Sequence, residues 1–151
     1  MLKSISYLLW VVIPILFTSC SSSRPTAWVI VNNQNSEGKP VEMTLVCKNE
    51  KGGNPILTKQ LIKPGLQSFP GFSIKKGKYE FAVTANNNLV GCSKFAMVDS
   101  DRWIFISYIQ SDSVKLNKSY GYWDLTAFTR INHEYAGLDM FFQNRKPANL
   151  N

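Results

Sequence analysis

Val41, Met43, Leu45 and Cys47 alternate with Glu42, Thr44, Val46 and Lys48, and Tyr79, Phe81, Val83 and Ala85 alternate with Glu80, Ala82 and Thr84. Successive side chains of an extended strand point to opposite faces, so a period of two predicts strands with one buried and one wet face. Through the first hundred residues after Cys20, no segment shows the 3.6-residue apolar stripe of a packed helix. Seven strands are predicted: Trp28–Asn32, Val41–Lys48, Ile56–Ile62, Ser68–Ile74, Tyr79–Ala85, Val90–Val98 and Trp103–Gln110. Between them lie turn-forming stretches such as NQNSEGKP, NEKGGNP, KPG, KKGK and NNN. Short strands at this spacing predict an all-β antiparallel β-sandwich. The last forty residues are less regular. There Val114–Leu116, Tyr120–Arg130 and Leu138–Gln143 read as strands or an extra hairpin, or a short C-terminal helix begins near Ala136. The sandwich is expected over 28–143, with a flexible tail over 144–151.

A chain of 151 residues allows one domain. Its 13% aromatic content, with only 18% charged residues, excludes wholesale disorder. Raw material for catalysis is scarce. The sole histidine, His133, sits in NHEY, and the chain has no HExxH, no GxSxG and no glycine-rich phosphate loop. The carboxylates are not grouped, and Asp99 and Asp101 flank Ser100 in a predicted turn. A non-catalytic protein without metal or cofactor is expected. Nucleic acid is not an expected partner, because no recognition helix or aromatic–basic ribonucleoprotein motif is present.

The N-terminus carries an address. After Lys3, the run ISYLLWVVIPILF from Ile5 to Phe17 is shorter than the ~20 residues that span a bilayer and contains Pro14. It suits the apolar region of a secretory signal peptide. Thr18 and Ser19 then precede Cys20, followed by Ser21, Ser22, Ser23, Arg24 and Pro25. This arrangement resembles the bacterial lipoprotein signal, in which small residues let a membrane enzyme reach a cysteine that is lipidated and becomes the mature N-terminus. The resemblance implies a signal peptide over 1–19, lipidation of Cys20 and a tether over 20–27. It also implies anchoring to a membrane by lipid rather than spanning it. Ser21 stands where an acidic residue would mark inner-membrane retention, and no acidic run follows the cysteine. The expected location is the cell envelope, at the periplasmic face of an outer membrane. Extended, Ser21 to Ala27 reaches at most ~24 Å, which keeps the domain near the bilayer.

GKPVEMTLVCK and, later, FSIKKGKYEFAVTANN resemble the carboxypeptidase-regulatory and transthyretin-like β-sandwich modules. The matching residues are Gly38, Pro40 and Val41, then Phe72, Ile74, Gly77, Tyr79, Phe81 and Val83. Phe69, Pro70 and Gly71 stand where those modules carry an Asp-Gly pair before the phenylalanine. The resemblance implies a transthyretin- or Ig-like sandwich that binds or docks without catalysis. In architecture and size the chain is similar to accessory lipoproteins of secretion systems, such as the transthyretin-like outer-membrane lipoprotein of type VI secretion. The implied partner is an envelope protein, with a glycan- or peptidoglycan-binding lipoprotein as the alternative.

With Cys20 lipidated, Cys47 and Cys92 remain as an even pair in an oxidising compartment, and a disulfide is expected between them. Phe95 and Met97 set the opposite parity for Cys92 unless Gly91 marks a bulge, and two free thiols are the alternative. Seven lysines lie between residues 48 and 80, among them Lys75, Lys76 and Lys78, against Glu50 and Glu80. They read as a patch for an anionic surface or as soluble, protected strand edges. Aromatic residues crowd the C-terminal third, and Tyr120, Tyr122 and Trp123 of SYGYWD are the candidate contacts for a sugar or a docked protein. Most of the other rings are expected in the core.

Overall fold

The computed structural model describes residues 23–121 and 124–148. Residues 1–22, and with them the expected signal peptide and Cys20, lie outside the described residues, as do Tyr122, Trp123, residues 149–151 and the side chain of Tyr120.

Two β-sheets pack face to face. The first has strand order β4-β1-β7-β9-β8, formed by β1 (Thr26–Asn35), β4 (Gly65–Ser73), β7 (Arg102–Ser111), β8 (Thr129–Ile131) and β9 (Glu134–Gln143). The second has order β3-β2-β5-β6, formed by β2 (Val41–Asn49), β3 (Ile56–Ile62), β5 (Gly77–Ala85) and β6 (Val90–Val98). All pairings are antiparallel except one: β1 runs parallel to β7, with Ala27 opposite Arg102 and Asn35 opposite Gln110. Between these partners the chain builds the whole four-stranded sheet, which acts as the crossover that a parallel pair requires.

The expected alternation supplies the core. Val29 and Val31 of β1, Ile104, Ile106 and Tyr108 of β7, and Met140 of β9 face Met43, Leu45 and Cys47 of β2 and Phe81 and Val83 of β5. Phe81 and Phe142 meet across the sandwich, with ring centroids 5.2 Å apart. Burying side chains of this size stabilises by about 1.5–3 kcal/mol each. The one large buried polar side chain in the interior among the described residues, Asn33, is satisfied. Its amide donates to the Ile62 carbonyl at 2.9 Å and to the Lys39 carbonyl at 3.3 Å, and its oxygen accepts from the Asn35 N–H at 3.1 Å.

The two long sides of the sandwich differ. On one, β6 packs along β9, and Lys94 of β6 pairs with Asp139 of β9 at 2.7 Å. On the other, β3 and β4 are free edges of their sheets, connected in sequence through Lys63 and Pro64. There β4 holds one extra residue against β1: Ala27 is opposite Phe72, whereas Val29 is opposite Phe69. This bulge turns Phe69 and Phe72, three residues apart, towards the same core. Gly71 lies within it, where a Cβ would stand 2.6 Å from Thr26 Cγ2 and 2.9 Å from the Trp28 ring.

Several expectations need correction. Val114–Leu116 is not a strand but part of α1 (Ser113–Tyr120). The Asp112 carboxylate caps its N-terminus by accepting from the Lys115 N–H at 2.8 Å, and Gly121, at φ 81°, ends it. Most of 120–130 is likewise not strand: a 3₁₀ turn covers Leu125–Ala127, and β8 begins only at Thr129. Ala136 begins no helix and lies in β9. The sandwich starts at Thr26, two residues before the expected boundary.

The expected Cys47–Cys92 disulfide is also absent; both are free cysteines. Parity does not forbid it. The β5–β6 register runs without a bulge, and Cys92 shares the inward parity of Val90 and Val98, while Phe95 and Met97 face out. Separation does forbid it. Cys47 is opposite Phe81, and Cys92 is opposite Val83, on the far side of β5. Two strand spacings and two residues of offset put their Cα atoms about 12 Å apart, beyond the ~7 Å a disulfide bridges. Burial pushes the Cys47 thiol up to about 12. Thiol titration of the denatured, unreduced protein should therefore find both Cys47 and Cys92 reactive, and Cys47 should resist alkylation at neutral pH until the protein unfolds.

Candidate functional site

Strand direction decides which loops share an end of the sandwich. Because β1 and β7 are parallel, both begin at the pole where the N-terminal segment enters, and β9, antiparallel to β7, ends there. The β4–β5 and β6–β7 connections and the loop after β2 lie at the same pole. A crevice there is lined by Ser23, Pro25, Lys76, Asp99, Ser100, Asp101 and Asn144. The Pro25 carbonyl accepts from the Ile74 N–H at 2.9 Å, and the Asp101 carboxylate accepts from the Thr26 N–H at 2.8 Å. Arg102 ties the pole together. Its guanidinium donates to the Asn144 side chain and the Met97 carbonyl, and it pairs with Asp99 at 3.2 Å.

This pole is cationic. It carries Arg24, Lys51, Lys75, Lys76, Lys78, Arg102, Arg145 and Lys146, eight cations against Glu50, Asp99 and Asp101. That net +5 is nearly all of the +6 carried by the described residues, since among them eight cations and seven carboxylates nearly balance elsewhere. Lys78 pairs with Glu50 at 2.8 Å and lies over the Phe95 ring at 5.3 Å, and Arg102 pairs with Asp99. Arg24, Lys51, Lys75, Lys76, Arg145 and Lys146 form no ion pair among the described residues.

The lysine run of the sequence is thus partly dispersed. Lys75, Lys76 and Lys78 do come together at the pole, whereas Lys59 pairs with Glu42 on the outer face of the four-stranded sheet, and Lys63 lies at the opposite pole. In exchange the fold brings in Arg24, Arg102, Arg145 and Lys146, which no local charge run reveals.

An aromatic strip adjoins the pole on the outer face of the five-stranded sheet. Trp28 and Trp103 are paired in register and stack with ring centroids 5.3 Å apart. One step along, Phe105 and Phe141 stack at 4.6 Å. These rings lie outside the sandwich core, in which most of the C-terminal rings were expected. The sequence does contain a signal: in WIFISY both parities are apolar, so both faces of β7 need cover. Further along the same face, Leu116 of α1 packs near Ile109 and Gln34, and Phe128 lies over Gly137. Of the SYGYWD candidates, Tyr120 ends α1; Tyr122 and Trp123 lie outside the described residues.

The opposite pole holds a polar network. Asn86, at φ 51° in the β5–β6 turn, donates to the Tyr108 hydroxyl, which contacts Gln110, and Gln110 donates to Glu134 at 2.6 Å. Burial raises the Tyr108 phenol above its ordinary value. With every member hydrogen-bonded, the network locks the turn to the sheet. Among the described residues, no group of three or more His, Cys, Asp or Glu is placed to hold a metal ion. No helix among them is long and apolar enough to cross a membrane. Compared with known proteins, the chain matches no family model, no curated protein and no solved structure. Its function is read from these surfaces.

Two outcomes test the site's construction. Arg102→Gln should cost about 2 kcal/mol, as expected when hydrogen bonds to a charged group are lost, and should speed tryptic cleavage after Arg145. The second concerns acid. Asp99 is held below 3.8 by backbone and Ser100 hydrogen bonds, Asp112 by the Lys115 N–H, Asp124 by Thr126, and Asp139 by Lys94. Depressed carboxylates add stability that is present above the unfolded value and lost as pH falls through the folded one. The melting temperature should hold steady towards pH 5 and fall below about pH 4, and Asp112→Asn with Asp124→Asn should flatten that fall.

Proposed function

We propose that this chain is a non-catalytic docking or assembly subunit of an envelope complex, of the secretion-system accessory type. In this reading it is held by lipid on Cys20 at the periplasmic face of an outer membrane. The observation that carries the reading is the cationic pole at the root of the N-terminal segment. A domain tethered by so few residues keeps that end against the bilayer, where each Lys or Arg near an anionic surface adds about 1 kcal/mol of attraction. The Trp28–Trp103 pair beside the pole suits the headgroup region, since an indole is apolar on its faces and polar at one edge. Lipid supplies the anchor, and the pole sets the orientation.

Docking is supported by the outer face of the four-stranded sheet. Leu57, Leu61, Phe95 and Met97 are there 65%, 65%, 60% and 56% exposed. Exposed apolar side chains of this size, set among charged ones, suit a protein partner.

Membrane fractionation tests the anchor. Wild-type protein should stay with membranes through a high-salt wash, and Cys20→Ala should release it; a variant that stayed bound would overturn the anchor. Crosslinking on native membranes, read by mass spectrometry, tests docking. It should recover one envelope protein repeatedly, with crosslinks away from the cationic pole. Recovery of the chain alone, together with retention on immobilised cell-wall glycan, would overturn docking in favour of a glycan-binding role.

A further inference from the structure

The open side of the sandwich leads into an apolar cavity of about 200 Å³ between the two sheets. Val31, Met43, Leu45, Ile62, Val83 and Ile106 form its floor and are buried. Phe69 and Phe72, brought to the same side by the β4 bulge, flank it, and Thr58 and Gln60 of β3 stand at its mouth. The cavity follows from the topology: β3 and β4 each pair on one side only, and no strand spans the gap between them.

The pattern of β3 is the informative feature. Thr58 is paired with Leu45 and Gln60 with Met43, so both polar side chains share the parity that faces the cavity. Leu57 and Leu61 take the other parity and lie in solvent. A shift of one residue would bury both leucines, but it would bury Lys59 as well and expose Ile56 and Ile62, so the register that keeps the charge in solvent leaves Thr58 and Gln60 facing the cavity. Neither Thr58 nor Gln60 forms a side-chain hydrogen bond among the described residues. An apolar floor with unused neutral hydrogen-bonding groups at the rim is the chemistry of a site for an amphiphile. No charged side chain lines it.

We propose that this cavity binds the alkyl tail of a single-chain amphiphile with a neutral, hydrogen-bonding head, the tail seated between the sheets and the head meeting Thr58 and Gln60. An apolar cavity of about 150 Å³ accepts a benzene molecule, so this one takes roughly eight carbons of a chain. The site does not depend on the membrane anchor and stands or falls separately from it.

A series of 1-alkanols from butanol to dodecanol, titrated calorimetrically into the purified full chain, with lipid nanodiscs present if it is membrane-bound, tests the proposal. The same titration into the Thr58→Phe variant, whose ring fills the cavity, serves as the reference for partition into the bilayer. Wild-type affinity should rise about fourfold per methylene and level off near eight carbons. Thr58→Phe should lose this binding without a fall in melting temperature. Gln60→Leu should keep the dependence on tail length but weaken alkanols relative to the corresponding alkanes. Equal heats in wild type and Thr58→Phe, or an affinity that keeps rising through dodecanol, would overturn the proposal. Should Thr58→Phe fail to fold, nanodiscs without protein supply the reference for partition, and the break near eight carbons in the wild-type series decides.

Discussion

The parallel ladder between β1 and β7 is the constraint on which the arrangement of this molecule depends. It joins residues about 75 apart in sequence and makes the intervening four-stranded sheet a crossover. It also fixes polarity. With β7 starting at the same end as β1, the N-terminal root, the Asp99–Asp101 turn, Arg102 and the segment after β9 converge on one pole. An antiparallel β7 would have sent Arg102 to the opposite end, and the charge of this domain would be spread between the two poles. The cationic surface is therefore a product of topology, and Arg102 secures it by bonding to both the β6–β7 turn and Asn144.

The asymmetry of the sandwich has an equally local cause. Where β6 meets β9, Lys94 and Asp139 tie the sheets, each favouring the other's charged form. Where β3 meets β4, the bulge at Phe69–Phe72 spends two aromatic side chains on the core, yet no strand closes the gap. Gly71 permits the bulge because Trp28, pinned against Trp103, leaves no room for a Cβ. One side is thus tied and the other open, and Asn33 bridges β1 to the end of β3 near the open side.

Much of this was readable residue by residue. Ile56–Ile62 and Val90–Val98 coincide with β3 and β6, and the other early strands run one to three residues beyond their expected bounds, except that β4 stops one residue short, at Ser73. Alternation announces a strand well but fixes its ends poorly, because pairing can extend through residues of weak preference such as Asn33 and Gln67. Phe95 and Met97 misled because exposed apolar residues on β6 imitate an inward parity. Near Val114 the helical signals, Asp112 ahead and Gly121 behind, were present, but in so short a helix a buried Leu116 beside an exposed Val114 makes no visible stripe. The inward-facing Thr58 and Gln60 show only once the β2–β3 register is known.

By itself the sequence determined a β-sandwich, because a period of two with turn residues at short intervals satisfies backbone hydrogen bonds and apolar burial in few other ways. It also determined the composition of the N-terminal segment from which an anchor is inferred. Only the tertiary structure decided that Cys47 and Cys92 stay apart, that the cations of five separate segments share one pole, and that the sandwich is closed along β6–β9 and open along β3–β4. The reason is physical. Alternation and turn chemistry act over a few residues, whereas strand order, direction and register are settled by long-range pairing, and these decide which distant side chains become neighbours.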